Sequence, residues 1–124
     1  MKPALRLNVL VIPCILFLIS CHSPVRPGKP RVLIFTGTAG YPPASTPAGL
    51  AAIMKLGREN QFDTDTTSDA SRIVEDSLAQ YAAVIFLNTT GNLLNNYQEA
   101  DFERYIQAGG GYVSIQAAAD HHFD

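Results

Sequence analysis

Small polar residues that can bind a ligand follow three apolar segments of this chain. Thr38 and Gly40 come after the first segment, and Thr89 and Thr90 come after the second. Gln116 follows the third, at the sharp turn where some α/β enzymes carry a nucleophile or a metal ligand. Hydroxyl and amide groups both donate and accept hydrogen bonds, which suits a neutral ligand rich in hydroxyl groups. We therefore predict that these five residues bind substrate.

Few groups near these positions could perform acid–base or metal chemistry. Asp120 is the candidate general base, and it could equally cap the turn that follows it. His121 and His122 are an alternative pair of metal ligands, but neighbouring side chains rarely face one ion, which favours solvated loop histidines. We expect no metal and no cofactor, and the identity of a catalytic residue stays open.

The two glycine-containing loops each allow two interpretations. Residues 89–91 could donate hydroxyl and amide hydrogens to a sugar or an anion, or they could satisfy their own backbone. Residues 36–40 resemble a glycine-rich phosphate cradle. They lack the lysine and spacing of the Walker motif, which disfavours a nucleotide.

Alternating strands and helices must position these loops. Residues 31–35, 82–87 and 112–115 are mainly apolar and predict buried strands, whereas the polar alternation of residues 62–66 predicts an edge strand. Strands that alternate with helices indicate an α/β fold, here an open parallel sheet with flanking helices. In such sheets ligands bind beyond the carboxyl ends of the strands. The loops at residues 36–45, 88–93 and 116–124 are therefore the expected ligand-binding edge.

Local signals predict the helices between the strands. Thr46 is the expected N-cap of the first, with Pro47 at its first position and an end near Asn60. A short helical turn is expected at residues 76–81. Asn95 or Asn96 should cap the last helix, whose inner face would carry Phe102, Tyr105 and Ile106.

The first thirty residues predict export and lipid anchoring. Lys2 and Arg6 precede an apolar run, and the segment from Leu18 to Cys21 resembles the lipobox of bacterial lipoproteins. We interpret residues 1–20 as a lipoprotein signal peptide, Cys21 as the lipidated residue and the proline-containing residues 21–30 as a tether. A short transmembrane anchor is the alternative. The expected location is the bacterial cell envelope, membrane-anchored and facing the periplasm or the exterior.

Charge and cysteine content exclude several functions. Nine basic and eleven acidic residues give a net charge of −2, and loss of Lys2 and Arg6 would leave seven basic residues and a net charge of −4. With no basic patch, nucleic acid is not an expected partner. The two cysteines are Cys14, in the predicted signal peptide, and Cys21. Lipidation of Cys21 would leave no free thiol for catalysis.

Four segments resemble the ThuA-like (trehalose utilisation) family. They are residues 31–41, 47–53, 86–91 and 102–112, and residues 117–120 continue the last of them in register. The resemblance spans residues 31–124 and about the N-terminal half of the family's domain. It implies a flavodoxin-like or class I glutamine amidotransferase-like fold and an action on carbohydrate such as trehalose or a glucoside.

The chain departs from the family's pattern at three places. Pro42 and Pro43 follow Gly40 and Tyr41, where members often carry an Arg-His pair. Gln116 stands where members often carry histidine and true amidotransferases carry cysteine. The tryptophan-rich continuation expected after Asp124 is missing, so the domain looks truncated. These departures predict that the protein is not a glutamine amidotransferase.

Three functional hypotheses follow from the sequence. The first is an envelope lipoprotein whose ThuA-like domain acts on carbohydrate. The second is a non-catalytic lipoprotein that binds a sugar or another protein. The third is a truncated, inactive fragment, because half a sheet leaves an unpaired strand edge and an uncovered apolar face.

Overall fold

Four parallel strands form a single sheet in the computed structural model, which describes residues 28–115. The sheet order is β2-β1-β3-β4, with every neighbouring pair parallel. The predicted α/β fold with an open parallel sheet is confirmed. The strands are β1 (Arg31–Phe35), β2 (Asp63–Thr67), β3 (Ala83–Leu87) and β4 (Gly111–Ile115).

Helices connect consecutive strands, as expected for parallel pairing. They are α1 (Thr46–Asn60), α2 (Glu75–Leu78) and α3 (Asn96–Gln107), with a short 3-10 helix at Ala70–Arg72. The predicted turn at residues 76–81 extends too far, because Tyr81 lies beyond α2. Its ring is buried in the core, and its hydroxyl donates to Asp65 Oδ2 at 2.8 Å.

The larger core lies on the face of the sheet that α2 and α3 cover. Phe35 and Phe86 pack with ring centroids 5.1 Å apart, and Phe102 of α3 lies 5.3 Å from Phe86. Full removal of such rings from water contributes about 1.5–3 kcal/mol each to folding. The buried members of this cluster are Leu33, Phe35, Ile73, Leu78, Tyr81, Val84, Phe86 and Tyr105.

A smaller core lies on the opposite face, under α1. Ile53 of α1 packs against Ile34 of β1 and Leu87 of β3. Alternate residues of β1 and β3 therefore face opposite cores, which explains the continuous apolar runs.

The start of α1 differs from the prediction. Ser45 is the N-cap and its side chain makes no cap hydrogen bond, while Thr46 already lies inside the helix. The hydroxyl of Thr46 accepts a hydrogen bond from Asn88 Nδ2 at 2.9 Å. The Thr46 side chain therefore binds a residue at the distant end of β3 and does not perform the capping role that local propensity predicted. Pro47 does lie in the first turn, as predicted.

The start of α3 agrees with the prediction from local capping propensity. Asn95 caps it, and the Asn95 backbone N–H donates to Gln98 Oε1 at 2.9 Å, which completes a capping box. Tyr105 is buried and Phe102 is half-buried, but the predicted inner-face residue Ile106 is exposed. Its neighbour Tyr105 takes the buried position of this turn, and the Tyr105 hydroxyl donates to the Tyr81 carbonyl at 3.3 Å.

The two outer strands of the described sheet differ in polarity. β2 carries only aspartate and threonine, which disfavours pairing with another chain. β4 is apolar, and Tyr112, Val113 and Ile115 are all exposed. No helix among residues 28–115 is long and apolar enough to cross a membrane.

Candidate functional site

The loops that follow β1 and β3 meet beyond the carboxyl ends of the two strands. Thr38 and Thr90 form an isolated parallel bridge, and Ala39 donates its N–H to the Thr90 carbonyl at 3.0 Å. Pairing of β1 with β3 therefore extends into both loops. The structure brings two of the predicted binding residues together at the edge where α/β proteins bind ligands.

The hydroxyls of Thr38 and Thr90 form the centre of this meeting point. Their Oγ1 atoms lie 3.0 Å apart, and the Gly40 N–H donates to Thr38 Oγ1 at 3.1 Å. We call this arrangement of Thr38, Gly40 and Thr90 the threonine clasp. Both threonines are half-buried and Gly40 is exposed, so the clasp lies at the surface. Thr90 Oγ1 keeps further donor or acceptor capacity for a ligand.

Gly91 allows the two loops to approach this closely. Its φ angle is +83°, and a Cβ atom at this position would lie 2.6 Å from Ala39 Cβ. A larger residue would strain the backbone and push the loops apart. The glycine after the two threonines is therefore required by the geometry of the clasp.

Asn88 ties the end of β3 to the start of α1. It adopts a left-handed conformation with φ of +54°, which asparagine tolerates better than most residues. Its Nδ2 donates to Ser45 Oγ at 3.1 Å and to Thr46 Oγ1 at 2.9 Å, and its N–H donates to the Ile115 carbonyl at 3.0 Å. Asn88 is only 3% exposed. It fixes the base of the loop that carries Thr90.

Sequence reasoning did not assign Asn88 to the site. The available signal was an asparagine directly after a buried strand, because asparagine adopts left-handed backbone more readily than most residues. Its role depends on Ser45 and Thr46, which lie more than forty residues earlier in the chain. No local pattern marks that partnership.

Two buried polar atoms beside the clasp have no hydrogen-bond partner among the described residues. They are Asn88 Oδ1 and Thr89 Oγ1. Thr89 is 0% exposed, so its hydroxyl is enclosed beneath the loop. Substrate binding by Thr89 stays a prediction, and in this conformation Thr38, Gly40 and Thr90 form the accessible part of the edge. Enclosed polar groups of this kind favour a partner such as water or a ligand hydroxyl.

The remaining predicted site residues lie outside the described residues. They are Gln116, Asp120, His121 and His122, together with the lipidation candidate Cys21. Within residues 28–115 no group of three or more histidine, cysteine, aspartate or glutamate side chains could hold a metal ion.

A separate groove of about 510 Å³ lies between α3 and β4. Aromatic rings line it: Phe102 and Tyr112 meet edge to face at 5.3 Å, and Phe86 contacts both. Glu99 and Glu103 of α3 stand at its border. Among the described residues, none of the predicted binding residues Thr38, Gly40, Thr89 and Thr90 lines this groove, so it is distinct from the clasp.

Comparison with known proteins identifies the family. The family model described as "ThuA: Trehalose utilisation" matches residues 31–124. The chain belongs to the ThuA family. The predicted resemblance is thereby confirmed over the whole segment for which it was proposed.

A solved structure supports the same assignment. A ThuA-like protein from Bacteroides uniformis superposes with a TM-score of 0.61 and 27% sequence identity. The alignment covers 74% of this chain and 38% of that protein, so this ThuA chain spans about two fifths of the length of its solved relative. No curated protein gives a significant match.

Proposed function

We propose that this ThuA-family chain serves the use of trehalose or a related glucoside by binding the sugar at the threonine clasp. The observation that carries the proposal is the 3.0 Å approach of the Thr38 and Thr90 hydroxyls beyond two adjacent parallel strands. The family's description as trehalose utilisation supports the choice of ligand.

The chemistry of the two loops favours a neutral ligand. Residues 36–45 and 88–95 contain no charged side chain. Their polar groups are hydroxyls, amides and backbone N–H groups, which pair with sugar hydroxyls as donors and acceptors. A phosphate or carboxylate would find no opposite charge in these loops, so the clasp selects an uncharged polyhydroxyl compound.

The reaction belongs to the same proposal. Asp120 is the candidate general base, and Gln116 would add an amide to the binding edge. A true amidotransferase requires a thiolate nucleophile, and the two cysteines are Cys14 and Cys21, both far from this corner in the sequence. The proposed action is therefore on carbohydrate and not on glutamine.

The proposed location is the bacterial cell envelope. Residues 1–20 would be removed, Cys21 would carry the lipid, and residues 21–30 would tether the domain. Two or more acyl chains hold a protein stably at a membrane. A lipoprotein anchored in the cell envelope would encounter sugars in the periplasm or outside the cell.

A second candidate function is non-catalytic binding of another protein. The exposed apolar side chains of β4 and the aromatic groove beside α3 favour it, because exposed apolar surface of this kind marks interaction sites.

Calorimetric titration of the full chain with trehalose and methyl glucosides tests the sugar proposal. The double variant Thr38→Val with Thr90→Val keeps the shape of both side chains and removes both hydroxyls. It should weaken binding at least tenfold, about 1.4 kcal/mol. Thr66→Val, an exposed threonine on β2, is the matched control and should bind normally. Equal binding by the double variant and the wild type would refute the site.

A further inference from the structure

Tyr41 is the most exposed of the large apolar side chains in the described part of the chain. Its ring is 99% exposed, and no ring contact or hydrogen bond joins it to residues 28–115. An aromatic ring is a large apolar surface to leave in water. Packing within the described domain therefore does not account for this side chain.

The position of Tyr41 places it next to the threonine clasp. It directly follows Gly40, whose N–H is bound to Thr38 Oγ1 at 3.1 Å. Three residues of extended chain span at most about 10 Å, so the ring lies within reach of a sugar held by Thr38 and Thr90.

The backbone around Tyr41 is restrained on both sides. Before it, the clasp fixes Thr38 and Gly40. After it come Pro42 and Pro43, whose rings fix φ near −65°, and the Pro43 carbonyl accepts a hydrogen bond from Thr46 at 3.0 Å. A loop whose backbone is already restrained loses less conformational entropy when a ligand binds.

We infer that Tyr41 is the stacking platform for the sugar ring, and that the ligand class is a pyranoside with a flat C–H face. This inference rests on the proposed sugar binding at the clasp. The π face of the tyrosine ring carries partial negative charge, which attracts the polarised C–H groups of a pyranose. The clasp binds hydroxyls at the edge of the sugar, and Tyr41 contacts its face.

The ligand pair that tests the platform contrasts a closed sugar ring with an open chain. Methyl β-glucopyranoside has a flat C–H face, whereas glucitol offers similar hydroxyls on an open chain. Calorimetry on the full 124-residue chain measures both affinities for each variant. The variants are Tyr41→Ala, Tyr41→Phe and, as a control, Tyr97→Ala. Tyr97 is 84% exposed on α3, so both tyrosines can be replaced without loss of buried packing.

Stacking predicts one pattern of results. Tyr41→Ala should weaken glucopyranoside binding about tenfold and leave glucitol binding unchanged. Tyr41→Phe keeps the ring face and should stay within about twofold of the wild type, as should Tyr97→Ala.

Four outcomes would overturn the platform. Tyr41→Ala could bind the glucopyranoside normally, Tyr41→Phe could lose as much affinity as Tyr41→Ala, or Tyr97→Ala could lose as much. An equal loss for glucitol would show a general effect of Tyr41 on the loop. In each of these cases the proposed function still holds if the wild type binds sugar and the double variant of Thr38 and Thr90 does not. A wild type that binds no sugar refutes the proposed function and the platform together.

Discussion

Asn88 Nδ2 lies 2.9 Å from Thr46 Oγ1, and this hydrogen bond joins the end of β3 to the first turn of α1. The contact is buried, and it holds together the bases of the two loops that form the threonine clasp. The geometry of the clasp therefore depends on a residue that does not belong to it.

Replacement of Asn88 should destabilise the domain. Asn88→Ala removes the hydrogen bonds to Ser45 and Thr46 and places alanine in a left-handed conformation, which together should cost about 2–4 kcal/mol. Asn88→Gly loses the same hydrogen bonds but tolerates the backbone, so it should cost about 1 kcal/mol less than alanine. Urea unfolding measures both values. Equal stability of the wild type and Asn88→Ala would contradict this role.

Tyr81 should make the folded state sensitive to alkaline pH. Burial raises the pKa of its phenol above the ordinary 10.0, and the hydrogen bond to Asp65 and the charge of that carboxylate raise it further. The unfolded phenol ionises near pH 10 while the folded phenol stays neutral. The contribution of Tyr81 to the free energy of unfolding is therefore present in full below pH 10, and it is lost as the pH rises through the folded pKa.

The phenylalanine variants isolate this effect. Tyr81→Phe should be less stable than the wild type at pH 8, because the hydrogen bond to Asp65 is lost. Between about pH 9.5 and pH 11, the range around the ordinary tyrosine pKa, the stability of Tyr81→Phe should fall less steeply than that of the wild type. Tyr97→Phe changes an exposed phenol and should keep the wild-type slope. Parallel slopes for Tyr81→Phe and the wild type would rule out the assignment.

The exposed apolar side chains of β4 should promote self-association. Val113 and Ile115 lie opposite Ile85 and Leu87 in the register, so they share the face of the sheet that α1 covers elsewhere. Val113→Thr combined with Ile115→Thr should reduce dye binding to apolar surface and self-association in light scattering. Thr66→Val, the reverse exchange on β2, should not reduce either. Unchanged light scattering by the double variant would show that β4 is not the surface through which the chain self-associates.

Lipidation at Cys21 is a prediction from the sequence. Cells that express the chain with a palmitate analogue should label it, and Cys21→Ala should remove the label because the acylated sulfur is gone. Cys14→Ala should keep the label, since Cys14 lies in the segment that is predicted to be removed. A wild-type protein without label would end the lipoprotein hypothesis.

The purified chain should release no ammonia from glutamine. True amidotransferases hydrolyse the amide with an activated thiolate, and the family resemblance predicts that Gln116 stands in the place of their cysteine. Ammonia measured against a boiled sample provides the check. Activity that depends on glutamine concentration would show that another nucleophile is present.

The sequence by itself determined the fold class and most element boundaries. Apolar runs at β1 and β3 and the polar alternation of β2 are local patterns, and each produced a strand within one residue of its prediction. The capping box of Asn95 and Gln98 is also local, since both partners lie within one turn. Short-range geometry makes such features readable without a structure.

Only the tertiary structure decided how the binding edge is arranged. Thr38 and Thr90 are 52 residues apart, and Asn88 and Thr46 are 42 apart, so no periodic pattern could pair them. The burial of Thr89 and the exposure of Ile106 depend on which other elements of the fold pack against these side chains. Helix and strand formation follow from neighbours along the chain, whereas burial and long-range hydrogen bonds depend on how β1, β3 and α1 come together in space.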